Sequence, residues 1–213
     1  MSSLKTKFLK FFIKNTFNRD PVATLSKLES IRTKKEKKGN IRISEGLVLE
    51  KEETPAGTKY QRVYKKDGEK TGRVVYYLHG GAYISGLFSF YYKHAEMFIN
   101  TFGCEVVFLD YKLAPEYKYP TQFNEALDLW NDLTNRQGYN AADIIVGGDS
   151  AGGNLTLSMM LKIRDMNMQM PRAGFCISPW ADMLGKGKSY EENFRFGIDC
   201  NGVVLAAGNT GKG

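Results

Sequence analysis

Ile144-Ile145-Val146-Gly147-Gly148-Asp149-Ser150-Ala151-Gly152-Gly153-Asn154-Leu155 is the stretch that decides the fold of this chain. An apolar run enters a cluster of glycines around one serine. It leaves as a segment carrying Leu155, Leu157, Met159 and Leu161, the pattern of a buried strand, a tight turn and a helix. Similar apolar runs recur at Val74-Val75-Tyr76-Tyr77-Leu78, Val106-Val107-Phe108-Leu109 and Phe175-Cys176-Ile177, separated by helical stretches over roughly 90–101, 121–136 and 151–166. Apolar strands alternating with helices predict an α/β fold, a mostly parallel sheet with helices on both faces. Upstream, Leu47 to Glu52 and Lys59 to Lys65 alternate about a Thr54-Pro55-Ala56-Gly57 turn, which predicts an antiparallel edge.

In such a sheet, function collects just past the carboxyl ends of the strands. Four segments occupy those places: His79-Gly80-Gly81-Ala82-Tyr83, Asp110-Tyr111-Lys112-Leu113-Ala114-Pro115-Glu116, Gly147 to Gly153, and Ser178-Pro179-Trp180-Ala181-Asp182. The third holds Gly148-x-Ser150-x-Gly152. A serine hydroxyl is a poor nucleophile unless it is held exposed beside a base, and a strand-to-helix turn that exposes it closes only if its flanks are tiny. The following helix start also presents unpaired N–H groups where an oxyanion would form. In a chain with 22 glycines the bare pattern is weak, and its strand–helix context gives it weight. A glycine pair after a neighbouring strand supplies the complementary part, aiming the Gly81 and Ala82 amides at a developing oxyanion, with Ala151 as a third donor. Taken alone, Gly80-Gly81 is as well read as a plain turn.

The 213 residues carry a net charge of +7, which would suggest an acidic partner, but residues 1–40 account for +8 of it and leave −1 for the remainder. A basic run confined to one end predicts a solvated segment and no nucleic-acid partner. Within it, Leu4, Phe8, Phe11 and Phe12 fall at helical spacing, so residues 1–40 are expected to form a basic amphipathic arm that caps the body; contact with a membrane surface is the alternative. No secretory leader or membrane span is expected. Cys104, Cys176 and Cys200 show no paired spacing and read as reduced thiols of a cytoplasmic protein. Two histidines argue against a metal site, and no cofactor is expected.

The blocks HGGAY, DYKLAPE, GDSAGGN and SPWAD, in that order, resemble the hormone-sensitive-lipase-like branch of the α/β-hydrolase fold, a family of carboxylesterases and lipases. The resemblance covers about residues 40–183. It implies Ser150 as nucleophile, Gly80, Gly81 and Ala82 with Ala151 as the oxyanion hole, and His79 as a structural histidine bracing that loop. Asp149 then becomes a supporting hydrogen-bonding group, Gly148 and Gly152 the small flanks of the elbow, and Asp110, Glu116 and Asp182 anchors of the surrounding loops. It also implies an N-terminal helical cap, a small ester substrate and an acyl-enzyme mechanism.

One departure from the family is large. Its triad runs Ser, then Asp or Glu, then His, yet both histidines here, His79 and His94, precede Ser150. Asp165, Glu191, Glu192 and Asp199 are available acids outside any matching context. Three segments are therefore expected: the cap at 1–40, a partial hydrolase domain at 41–200 with its C-terminal part missing, and an unmatched Gly-rich tail at 201–213. The complete protein is expected to hydrolyse short-acyl or small esters and these 213 residues to be inactive. The alternative is a non-catalytic small-molecule-binding member or remnant of the same fold.

Overall fold

The computed structural model describes residues 43–68 and 71–183, so the expected cap and tail lie outside the described residues. Contacts group Asn40–Ala181 into one unit, and of the described residues only Asp182 and Met183 fall in the other. Among the described residues six strands are present: β1 (Leu47–Glu53), β2 (Lys59–Lys65), β3 (Val74–Leu78), β4 (Glu105–Leu109), β5 (Ile144–Asp149) and β6 (Ala173–Ile177). Three helices join them: α1 (Ser89–Phe102), α2 (Thr121–Asn131) and α3 (Ala151–Asp165). The strands lie in the order β1-β2-β4-β3-β5-β6. β1 and β2 pair antiparallel at one edge, β2 joins β4 antiparallel, and β3 to β6 run parallel.

Why the central runs are continuously apolar is visible on β3. Val74, Tyr76 and Leu78 face a core shared with α2 and α3, through Ala126, Leu129, Trp130, Leu155, Met159 and Ile163. Val75 and Tyr77 face the opposite core with Tyr91, Tyr92, Ala95 and Ile99 of α1. Side chains alternate across a strand, so a strand with a helical layer on each side has no polar position to spare. α1 stops where Gly103 adopts φ 59° and returns its N–H to the Ile99 carbonyl.

The helix expected over 121–136 is divided. α2 ends at Asn131 and continues as one π-helical turn, Asp132–Arg136. Just past that wider turn, Gln137 and Tyr139 reach Arg62 of β2, whose guanidinium meets Glu52, Glu105, Tyr139 and Gln137 at 2.6–2.8 Å. Gln137 in turn donates to Asp132 Oδ2 at 2.7 Å.

The crossover β3-α1-β4 leaves β3 on one side, and β4-α2-β5 returns to the other. The strand order therefore reverses around β3, and the carboxyl ends of β3 and β5 become neighbours, Leu78 opposite Gly148. A crevice at such a reversal is where this class of sheet places its ligands.

Candidate active site

Ser150 sits at φ 51°, ψ −118°, between the end of β5 and the first residue of α3. L-residues rarely adopt such a backbone, and strain of this kind is kept where neighbours over-determine it. Here they do. The Ser150 N–H donates to the Ile177 carbonyl at 3.0 Å, and its own carbonyl accepts from Trp180 at 2.9 Å and from Asn154 at 3.1 Å. Its hydroxyl does not cap the helix. A capping serine would have its oxygen occupied by the first-turn amides; this one is half-buried and makes no such bond. Ala82 (φ 55°), Tyr83 (φ 62°) and Ser178 (φ 45°) share the left-handed strain at the same end of the sheet.

The small flanks of the elbow have a measurable cause. A Cβ on Gly152 would lie 2.0 Å from the Leu78 carbonyl oxygen and 2.6 Å from that of His79, and one on Gly148 would lie 2.5 Å from the Leu78 oxygen. The turn is thus pressed directly onto the backbone at the end of β3.

His79 is fully buried, its ring stacked on Tyr111 with centroids 4.1 Å apart. Its Nδ1 lies 2.7 Å from the Gly80 carbonyl oxygen. A carbonyl only accepts, so the ring proton must be on Nδ1. Tyr111 donates to the His79 carbonyl at 2.9 Å, and the Ala114 amide donates to the Tyr83 carbonyl at 2.9 Å, so the segment after β4 underpins the glycine loop. Asp110 accepts from Gln61 at 3.0 Å. The Glu125 carboxylate holds Lys112 through both its amide, at 2.8 Å, and its ammonium, at 3.1 Å. His94 lies on α1 among the rings of Phe90 and Tyr91.

Asp149 binds the glycine loop to the elbow. Its Oδ1 accepts from the Gly80 N–H at 2.9 Å, from Tyr91 at 3.0 Å and from Tyr77 at 3.2 Å, while Oδ2 accepts from Tyr91 at 3.0 Å. Burial, and then the Asp149 charge, push the Tyr77 and Tyr91 phenols above their ordinary range, so both remain donors. A second tether runs from Tyr83, whose hydroxyl donates to Asn154 Oδ1 at 2.8 Å.

These contacts bear on one expectation. Gly80, placed in the oxyanion loop by resemblance, has its N–H turned to Asp149 and to the Tyr91 hydroxyl, each at 2.9 Å. Its part is to anchor the loop. Among the described residues, no hydrogen bond occupies the N–H groups of Gly81, Ala82 or Ala151. Sequence reading also missed Tyr77 and Tyr91. Both sit in apolar stretches that read as core, and the available signal was that a buried tyrosine hydroxyl needs a partner. Among the described residues, no group of three or more metal-ligating side chains converges, and no helix is long and apolar enough to cross a membrane.

A family model described as alpha/beta hydrolase fold matches residues 75–200. An acetyl-hydrolase of Streptomyces hygroscopicus is 31% identical over 125 residues, which are 59% of this chain and 42% of that protein. An esterase of Acinetobacter venetianus is 30% identical over 121 residues, 57% of this chain and 40% of that protein. The chain thus spans about two fifths of the length of these curated relatives. In three dimensions it is similar to an esterase from the bacterial hormone-sensitive lipase family, with a TM-score of 0.76 at 23% identity, covering 97% of this chain and 69% of that one.

Proposed function

The chain belongs to the alpha/beta hydrolase fold family, and on that premise we propose that Ser150 is the nucleophile of a serine hydrolase acting on small carboxylic esters. The observation that carries the proposal is the strained Ser150 turn, with its hydroxyl uncommitted to capping, next to a glycine loop whose Gly81 and Ala82 amides have no hydrogen-bond partner among the described residues. Ser150 Oγ attacks the ester carbonyl carbon and a C–O bond forms. The carbonyl oxygen takes up the negative charge opposite the amides of Gly81, Ala82 and Ala151. The bond to the alcohol then breaks, the alcohol leaves with a proton, and the acyl group remains on Ser150 until water releases it as the acid. Asp149 and Gly80 hold the loop, His79 and Tyr111 brace it from below, and Gly148 and Gly152 allow the turn to close on β3.

The proton in these steps needs a base, and no histidine follows Ser150 in the 213 residues. On this reading the 213 residues hold the nucleophile and the charge-stabilising part of the machinery, and no histidine among them follows the serine to make turnover fast. Loss of triad members leaves residual catalysis of about 10³ to 10⁴-fold over water in a serine hydrolase. The free thiols among the described residues, buried Cys104 and half-buried Cys176, support a cytoplasmic setting.

The test is p-nitrophenyl acetate with the 213-residue chain beside Ser150→Ala. The expected result is one acetyl group on Ser150 by mass spectrometry, absent from the variant, with no steady-state turnover above the variant. Absence of the adduct overturns the nucleophile, and clear Ser150-dependent turnover overturns the missing base. A ligand that binds the crevice without acylation of Ser150 would favour the small-molecule-binding reading.

A further inference from the structure

We infer that Tyr91 is a positioning residue of this site: its hydroxyl, shared between Asp149 and Gly80, holds the glycine loop against the Ser150 turn. The inference rests on the reading of Ser150 as nucleophile.

Tyr91 comes from α1, outside both the loop and the elbow, and is 1% exposed. Its ring is fixed by Phe90, Tyr77 and Phe108 at centroid distances of 4.2, 5.7 and 6.3 Å. The hydroxyl therefore has one place to be, and three polar atoms meet it there. It accepts from Gly80 at 2.9 Å and lies 3.0 Å from each Asp149 oxygen. A phenol has one proton to give and lone pairs to receive, so it donates to the carboxylate while accepting from the amide.

The same Gly80 N–H is also 2.9 Å from Asp149 Oδ1, which closes a ring of amide, phenol and carboxylate. There is no slack in it, because a Cβ on Gly80 would lie 2.2 Å from Asp149 Oδ2. Among the described residues, Oδ2 has no donor besides Tyr91. Remove that hydroxyl and the carboxylate is free to turn toward other donors, drawing Oδ1 away from Gly80. The two amides that would meet the oxyanion follow directly in the chain, so the displacement is passed to them. Tyr77 donates to Oδ1 at 3.2 Å and, among the described residues, makes no hydrogen bond to the loop.

The experiment uses the full chain and an alkyl fluorophosphonate. Ser150 Oγ bonds to phosphorus, the P–F bond breaks, fluoride leaves and the hydroxyl proton passes to water; the adduct is read by intact mass. In Tyr91→Phe the maximal labelling rate is expected to fall on the order of tenfold, less than the 10²–10³ lost with a direct oxyanion donor. The half-saturating probe concentration should stay within about twofold, and the unfolding midpoint should fall only by the loss of one buried hydrogen-bonding group, because the ring is retained. Tyr77→Phe should cost less. Asp149→Asn is the second arm, useful also if Tyr91→Phe folds poorly. Combined with Tyr91→Phe it should lose no more than the larger single change, since both act through one link.

An unchanged labelling rate in Tyr91→Phe, or fully additive losses in the double variant, overturns the positioning role. Wild-type labelling no higher than that of Ser150→Ala overturns the reading of Ser150, and this inference with it.

Discussion

Gly152 lies at the closest contact between the elbow and β3, and a single methyl group there tests whether that contact matters. The added carbon of Gly152→Ala would lie 2.0 Å from a backbone oxygen, which no side-chain rotation can relieve. Either β3 or the helix start must shift, a strain worth about 1–3 kcal/mol in packed interiors. The urea unfolding midpoint should fall accordingly, and Ser150 acetylation should slow, since Leu78 and His79 lead directly into the glycine loop. A variant with wild-type stability and wild-type acetylation would mean that the turn need not be seated on β3. Legibility at this scale depended on residue type. The glycines around Ser150 announced themselves, because tightness has few causes other than close approach or unusual φ. The roles of Tyr77 and Tyr91 did not, because a tyrosine hydroxyl in an apolar run looks the same whether it reaches solvent or a carboxylate.

Among the elements, the four apolar runs and the antiparallel edge were readable because sheet layering writes itself into hydropathy. β3 is buried at every position, and β1 pairs with β2 from Leu47 opposite Lys65 to Glu53 opposite Lys59. The junction of β2 with the end of α2 was not readable. Arg62 occupies an ordinary alternating strand position, yet it is only 8% exposed because Glu52, Glu105, Gln137 and Tyr139 close over it. Burial pushes Glu52 up, but its hydrogen bonds from Arg62 and Tyr60 outweigh this and hold it below its ordinary 4.5. Arg136 does the same for Asp132, below its ordinary 3.8. Both folded-state values are depressed. Their stabilisation is therefore full above the unfolded values and is lost as pH falls through the folded ones. The thermal midpoint should be level near pH 7 and drop as pH goes from about 4.5 toward 3. Arg62→Met leaves Glu52 and Glu105 without their cation and should cost about 3–5 kcal/mol at neutral pH. Its deficit should narrow on acidification, as protonation relieves the stranded Glu52 carboxylate. Parallel pH curves for the two proteins would show that Arg62 is not what holds Glu52 ionised.

At the scale of the whole molecule, the two edges of the sheet differ. The β1–β2 edge carries Glu50, Lys51, Glu52 and Glu53, charges of the kind that discourage edge-to-edge pairing. β6, the other outer strand among the described residues, reads Ala173-Gly174-Phe175-Cys176-Ile177 without a charge, and Ile177 is 48% exposed. α3 lies over it, with Met160 against Gly174, and carries Leu157 and Leu161 four residues apart, 41% and 51% exposed. An uncharged edge beside an apolar helix stripe favours association between copies. The expected behaviour is concentration-dependent light scattering that grows with temperature well below unfolding. Leu161→Lys places a charge on the stripe at an exposed position, where substitutions usually change stability by less than about 0.5 kcal/mol. It should suppress scattering while the unfolding midpoint and Ser150 acetylation stay at wild-type values. Ile177→Lys should act in the same direction on scattering but slow acetylation as well, because the Ile177 carbonyl receives the Ser150 amide and a disturbed β6 end would reach the turn. Scattering unchanged in both variants would remove this face as the cause of association. Suppression by Ile177→Lys alone would place the cause in the strand edge and not in the helix stripe.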